Sequence, residues 1–498
     1  DTDGYPHQFC YTSDSYLHET MAADYINSMR NARPLLAKSR DDILLEIEDF
    51  ELMSGTQLDD IQKEAVITSL QNRVSIITGG PGCGKTTVVA CVLFVWRRCH
   101  MPDPVLSAPT GLAAKRMRDA VLSNTCGYAS EKIVVKTIAR RLAEAKTKDD
   151  YHRHEPTLAV IDETSMVHMA DAAGMLRLFS GCQVVFVGDA DQLPAIDPGD
   201  FFSDLCWLDI IPKQSLNICY RAVNAKVIID NAHKIRDGKP VSQLDWSTPV
   251  FKMQKFQKSD MSAVNYMVNQ YKSYIQSQYS YSDICILSPM RRGTMGVENL
   301  NCILQEQLNP DFQHPKLAFT RQFGGLVATT NGVPIDDTEY IAHLEKGVIN
   351  RTKLRVGDRV IQMKNRYEDA LVNGDCGVIM AYHKPDNSKP YIELQLDDGR
   401  TLDIDQENFS ELALAYAVTI HKAQGCEYHH VLISLPHCLL NYWGSQNGFT
   451  NRNLVYTAGT RAKSTVEFVG AEDLLQQCID TRRPPRQSLF VYRVLDAC

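Results

Sequence analysis

In Val74-Ser-Ile-Ile-Thr-Gly-Gly-Pro-Gly-Cys-Gly-Lys-Thr-Thr-Val-Val-Ala90, a β-branched run (Val74, Ile76, Ile77) stops at Gly79 and an apolar helical pattern opens after Thr86. Between them stands Gly79-x-x-x-x-Gly84-Lys85-Thr86, a phosphate-binding loop between strand and helix. Glycines let successive backbone N–H groups turn around an anion, and the helix N-terminus adds partial positive charge. Gly79, Gly80, Pro81, Gly82, Cys83, Gly84, Lys85, Thr86 and Thr87 therefore form a candidate nucleotide cradle. Lys85 has the reach for the β- and γ-phosphates, and the Thr86 hydroxyl is a candidate Mg²⁺ ligand. The stretch implies a nucleoside triphosphate.

Working outward, Leu158-Ala-Val-Ile-Asp-Glu163 reads as a buried parallel strand ending in two acids. Beside a phosphate loop, Asp162 suits the metal shell, and Glu163 suits orienting and deprotonating a water. Gln183-Val-Val-Phe-Val-Gly-Asp-Ala-Asp-Gln192 is a third strand with a polar end, and its Gln192 is placed to sense a γ-phosphate. Upstream, Gln62 opens an amphipathic helix; its amide can donate to and accept from an adenine edge. After the strand-like Val105-Leu106, Ser107-Ala-Pro109-Thr110-Gly111 leads into a helix. Its small residues and hydroxyl suit a phosphodiester strand.

At 498 residues the chain exceeds one core, and two to four domains are expected. No charge-free apolar run reaches 18 residues, so no membrane span is expected. The chain opens at Asp1 rather than Met and without a signal-peptide pattern, which leaves targeting open. Fifteen scattered cysteines with no C-x-x-C pair read as reduced, intracellular thiols rather than a disulfide or zinc framework. A net charge of −8 bears on solubility and does not exclude nucleic acid, which answers to local lysines and arginines. Between 351 and 410, short alternating runs are separated by Asn373-Gly374, Asp386-Asn387 and Asp398-Gly399, which are hairpin signals marking a small all-β insert. Phe323 to Asn350 fits no pattern.

Taken in order, further stretches accompany these: Asn217-Ile-Cys-Tyr-Arg221, Asn231-Ala-His-Lys-Ile-Arg236 and Leu287-Ser-Pro-Met-Arg-Arg-Gly293. Then come Gly357-Asp-Arg-Val-Ile-Gln362, Asn373-Gly-Asp-Cys-Gly-Val378, Ala415-Tyr-Ala-Val-Thr-Ile-His-Lys-Ala-Gln-Gly425 and Leu454-Val-Tyr-Thr-Ala-Gly-Thr-Arg-Ala-Lys463. The ordered set, over roughly 50–475, resembles the RecD-like branch of the superfamily 1B DNA helicases. The resemblance implies an α/β fold of two tandem RecA-like P-loop NTPase domains with a small SH3-like all-β insert in the second. The expected limits are 1–50 for a helical lead-in and 51–203 for the first domain, with a short insert at about 142–157. The second domain is expected over 204–350 and 411–498, with its β insert at 351–410.

The resemblance also implies ATP and Mg²⁺ as cofactors, and single-stranded DNA and duplex junctions as partners. It implies 5′→3′ movement driven by opening and closing of the two domains. Arg221 and Arg461 match the arginines that reach the γ-phosphate, with Gly425 and Glu427 nearer the nucleotide. Pro109, Thr110, Thr137, Arg140, Thr419 and His421 match DNA-contacting positions. The chain departs from the family pattern at Ala139, Ala222, Ala423 and Cys426, and its span from Lys146 to Pro156, where the family carries a strand-splitting pin, is short and charged. The alternative is an NTPase clamp or motor subunit of a larger DNA repair or recombination complex, without unwinding of its own.

Overall fold

In the computed structural model of the chain, the described residues are 12–124, 134–146, 155–220, 223–257, 260–310, 316–320, 329–330, 333–334, 353–366, 369, 371–385, 389–440, 449–483 and 488–496. The chain forms two compact units, Asp1–Tyr220 with Pro485–Cys498, and Arg221–Pro484.

The first unit begins with α1 (Ser13–Arg30), α2 (Arg40–Ser54) and α3 (Asp60–Gln71), followed by β1 (Val74–Gly79) and α4 (Lys85–Arg98). It continues through β2 (Val105–Ala108), α5 (Gly111–Asn124), β3 (Val134–Thr137), α6 (Ile138–Lys146) and β4 (Leu158–Ile161). Then follow α7 (Met169–Leu178), β5 (Gln183–Gly188), α8 (Phe201–Trp207) and β6 (Lys213–Leu216). The sheet order is β3-β2-β4-β5-β1-β6, and every pairing is parallel. All strand C-termini therefore reach one edge, where open α/β sheets bind ligands.

Period-2 alternation splits the strands between two cores. Val74, Ile76, Ala159, Ile161, Val184 and Phe186 face one layer, and Ile77, Leu158, Val160, Val185 and Val187 face the other. Helix α4 is buried continuously from Val88 to Trp96, which is why its apolar run lacks a polar face.

The second unit carries α9 (Val223–Arg236), β7 (Phe251–Lys255), α10 (Asp260–Gln276), β8 (Ile284–Ser288) and α11 (Val297–Leu308). Short strands follow: β9 (Lys316–Thr320), β10 (Thr329–Thr330), β11 (Val333–Pro334) and β12 (Lys353–Arg355). Next come β13 (Arg359–Gln362), β14 (Cys376–His383), β15 (Tyr391–Leu396), β16 (Thr401–Asp405) and β17 (Leu412–Leu414). The unit ends with β18 (Ala417–Thr419), β19 (Tyr428–Leu435), a helix over Arg452–Gly459, β20 (Ala462–Gly470) and a helix over Glu472–Asp480.

Its parallel sheet runs β18-β8-β19-β20-β7. The all-β insert is an antiparallel sheet, β16-β15-β14-β13-β17. Gly374 (φ 101°) and Gly399 (φ 85°) take the left-handed conformation at two of the expected turns. The third, Asp386-Asn387, lies outside the described residues. One core joins insert and parallel layer, with Val360, Ile379 and Leu394 packed among residues such as Ile286, Leu304 and Leu432. Asp358 pins that joint by accepting from the Arg355 amide (2.6 Å), Asn309 Nδ2 (2.8 Å), Gln305 Nε2 (2.5 Å) and Tyr416 OH (3.2 Å).

Several expected limits need correction. The second domain does not begin at 204, because β6 pairs with β1 (Ile76↔Lys213, Gly79↔Leu216) and belongs to the first sheet. Nor does the second domain run to 498. Phe490 and Val494 join the first unit's core, and the Leu489 amide donates to Glu19 Oε2 (3.1 Å). The lead-in does not stop at 50, since α2 continues to Ser54 and ends on left-handed Gly55. The insert extends past 410, because β17 closes on β13. Within 142–157, α6 continues to Lys146, and 147–154 lie outside the described residues, as does most of 323–350.

His430 offers a test of the second unit's packing. Its ring stacks on Tyr274 (4.1 Å between centroids), and Nδ1 lies 2.8 Å from Thr465 Oγ1. Burial, then neighbouring His429, push its pKa down to about 4, against the pull of Asp283. A histidine depressed in the folded state contributes its full stability above the unfolded value and loses it as pH falls toward the folded one. The wild-type chain should therefore lose up to about 3 kcal/mol between pH 6.5 and 4 at this site. His430→Phe should flatten that loss in urea titrations at pH 7 and pH 5, and an unchanged pH slope would refute it.

Candidate nucleotide site

The phosphate loop takes the shape its glycines allow. Gly82 (φ 77°) and Gly84 (φ 79°) are left-handed, and Gly84 caps α4. A Cβ on Gly84 would stand 2.3 Å from Gln62 Nε2, so position 84 needs glycine for space as well as for backbone. Lys85 Nζ donates to the Gly79 (2.7 Å) and Gly80 (2.9 Å) carbonyls, which places the ammonium inside the loop.

Gln62 is committed on both sides. Its Oε1 accepts from the Asp59 amide (3.1 Å) in the capping box of α3, and its Nε2 donates to the Cys83 carbonyl (3.3 Å). It braces the loop, and reading a base edge would cost it one of these bonds.

The acids follow β4, as the pattern predicts. The Asp162 amide donates to Ser107 O (2.9 Å), and the Glu163 amide donates to Asp162 Oδ1 (2.8 Å). Burial first, then Glu163, push the Asp162 carboxyl up to about 6, while Lys85 pulls it down. Glu163 sits at φ 50°, a left-handed conformation that costs a non-glycine residue about 1–3 kcal/mol and clusters at functional sites. At the end of β5, Gln192 Nε2 donates to Asp189 Oδ2 (3.1 Å), and its buried Oε1 has no protein partner. Lys85 and Asp189 both act on the Cys83 thiol, which burial raises above its usual pKa. Loop, acids and glutamine thus gather at one edge of one sheet.

On the same edge, Ala108 pairs with Thr137, bringing together the turns that carry Pro109, Thr110, Thr137 and Arg140. Thr110 Oγ1 caps α5 by accepting from the Ala113 amide (3.2 Å), and Thr137 Oγ1 accepts from the Arg140 amide (3.2 Å). Arg140 pairs with Glu144 (3.0 Å).

In the second unit, Thr419 ends β18 beside Ser288 of β8, and its Oγ1 accepts from the Lys422 amide (3.3 Å). Burial holds the His421 imidazole below its ordinary pKa, so it is neutral at pH 7. Gly425 is left-handed (φ 73°), Glu427 pairs with Lys463 (3.5 Å), and Arg461 lies nearby. Arg461 follows the helix over Arg452–Gly459. Its guanidinium donates to Thr457 O (2.9 Å), Cys426 O (3.4 Å) and Thr460 Oγ1 (3.2 Å). Arg221 lies outside the described residues.

The AAA domain family matches residues 57–249, and the UvrD-like helicase C-terminal domain family matches 414–469. The chain is 28% identical over 430 residues to the ATP-dependent RecD2 DNA helicase of Deinococcus radiodurans, covering 85% of this chain and 50% of that one. It is 25% identical over 505 residues to the RecBCD enzyme subunit RecD of Mycolicibacterium smegmatis, covering 94% of this chain and 79% of that one. Along most of its length the chain is similar to RecD-like superfamily 1B proteins. It spans about half the length of the Deinococcus relative. A Bacteroides Pif1 bound to single-stranded DNA superposes with a TM-score of 0.47 at 18% identity, over 83% of this chain and 92% of that one.

Residue-type reasoning passed over two groups in this RecD-like chain. The Tyr220 amide donates to Gly82 O (3.0 Å), and its hydroxyl donates to Asp59 Oδ2. Burial and that carboxylate push the Tyr220 phenol up to about 12. Tyr220 and Asp59 therefore flank the loop beside Gln62. The signal lies in the sequence, since Tyr220 directly precedes Arg221 and Asp59 stands three residues before Gln62. Among the described residues, no set of three or more His, Cys, Asp or Glu could hold a metal, and no helix is long and apolar enough to cross a membrane.

Proposed function

We propose that this chain is an ATP-driven 5′→3′ DNA helicase that translocates on single-stranded DNA. The observation that carries the chemistry is the convergence of Lys85, Asp162, Glu163 and the unpartnered Gln192 Oε1 at the edge that holds the phosphate loop. Loop amides and Lys85 hold the β- and γ-phosphates. Glu163 takes a proton from the attacking water, which Gln192 Oε1 orients.

The Thr86 hydroxyl and Asp162 carboxylate are hard oxygen donors, and a carboxyl raised by burial beside a second acid suits a cation. Two protein ligands fit Mg²⁺ shared with phosphates, where it would neutralise charge on the phosphoryl oxygens. Arg461 and Arg221 are proposed to place positive charge on that group, which requires Arg461 to exchange its bonds to Thr457 and Cys426. Gly425 and Glu427 are proposed as nucleotide-side residues of the second unit, and Tyr220 is proposed to offer its ring to the base. Gln62 would reach an adenine edge by releasing Cys83.

The DNA reading rests on hydroxyl-bearing turns at the sheet edges. Pro109, Thr110, Thr137 and Arg140 in the first unit, and Thr419 and the neutral His421 in the second, offer amides, hydroxyls and an imidazole to a sugar–phosphate strand. Hydrolysis would alternate the two units' grip on the strand.

A second reading, a motor subunit within a DNA-repair or recombination complex, is favoured by the match to a RecBCD subunit over 94% of this chain. Unwinding of 5′-tailed duplex by the isolated chain supports the helicase. DNA-stimulated hydrolysis without unwinding would favour the subunit.

A further inference from the structure

The phosphate loop carries a thiol, Cys83, and the segment lying against that loop carries another, Cys219. The Tyr220 amide donates to Gly82 O at 3.0 Å, so the peptide following Cys219 is hydrogen-bonded to the peptide preceding Cys83. Planar peptides hold the Tyr220 nitrogen about 2.4 Å from the Cys219 Cα and the Gly82 oxygen about 2.8 Å from the Cys83 Cα, so the two Cα atoms lie within about 8 Å, and any bend at the hydrogen bond shortens this. A disulfide spans about 4.4–6.8 Å between Cα atoms. The two thiols are also close enough to act on each other electrostatically. Cys83 is buried in the first unit's core, whereas Cys219 is half-buried and the more open to a small oxidant.

We propose that Cys83 and Cys219 form an oxidative modification site, at which a hydroperoxide closes a disulfide that straps the phosphate loop to the segment after β6. The Cys219 thiolate attacks one peroxide oxygen and the O–O bond breaks. The sulfur becomes a sulfenic acid and hydroxide leaves, taking up a proton as water. The Cys83 thiolate then attacks that sulfur, the S–O bond breaks, and the second oxygen leaves as water. Two thiols and one hydrogen peroxide become one disulfide and two waters, with two electrons passing from sulfur to oxygen.

The burial that raises the Cys83 pKa slows the second step, and Lys85, which favours the thiolate, opposes that burial. A closed bridge draws Cys83 out of the core and holds the loop amides away from an anion. The reduced loop keeps the cradle described above.

The proposal rests on the nucleotide-site reading only for its effect on activity, because the bridge is detected by mass. Trypsin releases Cys83 in Val74–Lys85 and Cys219 in Gln214–Arg221, each the sole cysteine of its peptide. After hydrogen peroxide treatment of the full chain, a cross-linked pair of these peptides is expected, and it should vanish with dithiothreitol. ATP hydrolysis should fall with the cross-link and return with the reductant, whereas Cys219→Ser should form no cross-link and resist the loss. Peroxide that leaves both cysteines open to alkylation, or oxidises each without joining them, overturns the proposal. Equal reversible inactivation of Cys219→Ser also overturns it.

Discussion

Lys85→Ala should abolish ATP hydrolysis, with turnover reduced about 10³-fold or more, as expected when a positive donor is removed from a site of developing phosphate charge. The Lys85 Nζ contacts are the Gly79 and Gly80 carbonyls of the loop itself. The loop's shape comes from left-handed Gly82 and Gly84, which the substitution does not touch. Folding should therefore survive, with a near-native circular dichroism spectrum, while nucleotide affinity falls together with turnover. Hydrolysis within tenfold of wild type would contradict the assignment.

Glu163→Gln separates binding from chemistry. The amide keeps the shape of the acid and cannot take a proton from water, so turnover should fall about 10²–10⁴-fold, the usual worth of a general base. Nucleotide binding should persist, because the loop and Lys85 are unchanged. The variant also removes the negative neighbour that helps push Asp162 up to about 6. Removing a neighbouring negative charge lowers a carboxyl pKa, so Asp162 should ionise at lower pH in this variant. Equilibrium titration with a fluorescent ATP analogue, paired with single-turnover hydrolysis, reads both quantities. Loss of binding with unchanged chemistry per bound nucleotide would assign Glu163 a structural role.

The parts legible in the sequence are those written in short-range pattern. Apolar alternation with glycines at Gly79, Gly82 and Gly84 encodes strand, loop and helix within seventeen residues. Asn373-Gly374 and Asp398-Gly399 mark turns because left-handed backbone demands such residues. The misses are long-range. Strand β6, Lys-Gln-Ser-Leu, carries no apolar signature, and only its pairing with β1 more than a hundred residues earlier assigns it to the first sheet.

The helix at Phe490–Asp496 rejoins α1 across most of the chain, a contact no local window contains. Within the site, residue type identified Gln62 and Arg461, but not what they hold. Gln62 is shared between a helix cap and the loop, and Arg461 is bonded to its own unit. Such commitments depend on which backbone groups lie unpaired nearby, a property of the folded chain.

Steady-state ATP hydrolysis by the full chain, with and without single-stranded DNA, tests most directly whether this site drives a DNA motor. Hydrolysis should rise several-fold with single-stranded DNA in the wild type and remain absent in Lys85→Ala under both conditions. Hydrolysis by the wild type that is indifferent to single-stranded DNA would contradict coupling between this nucleotide site and a DNA strand.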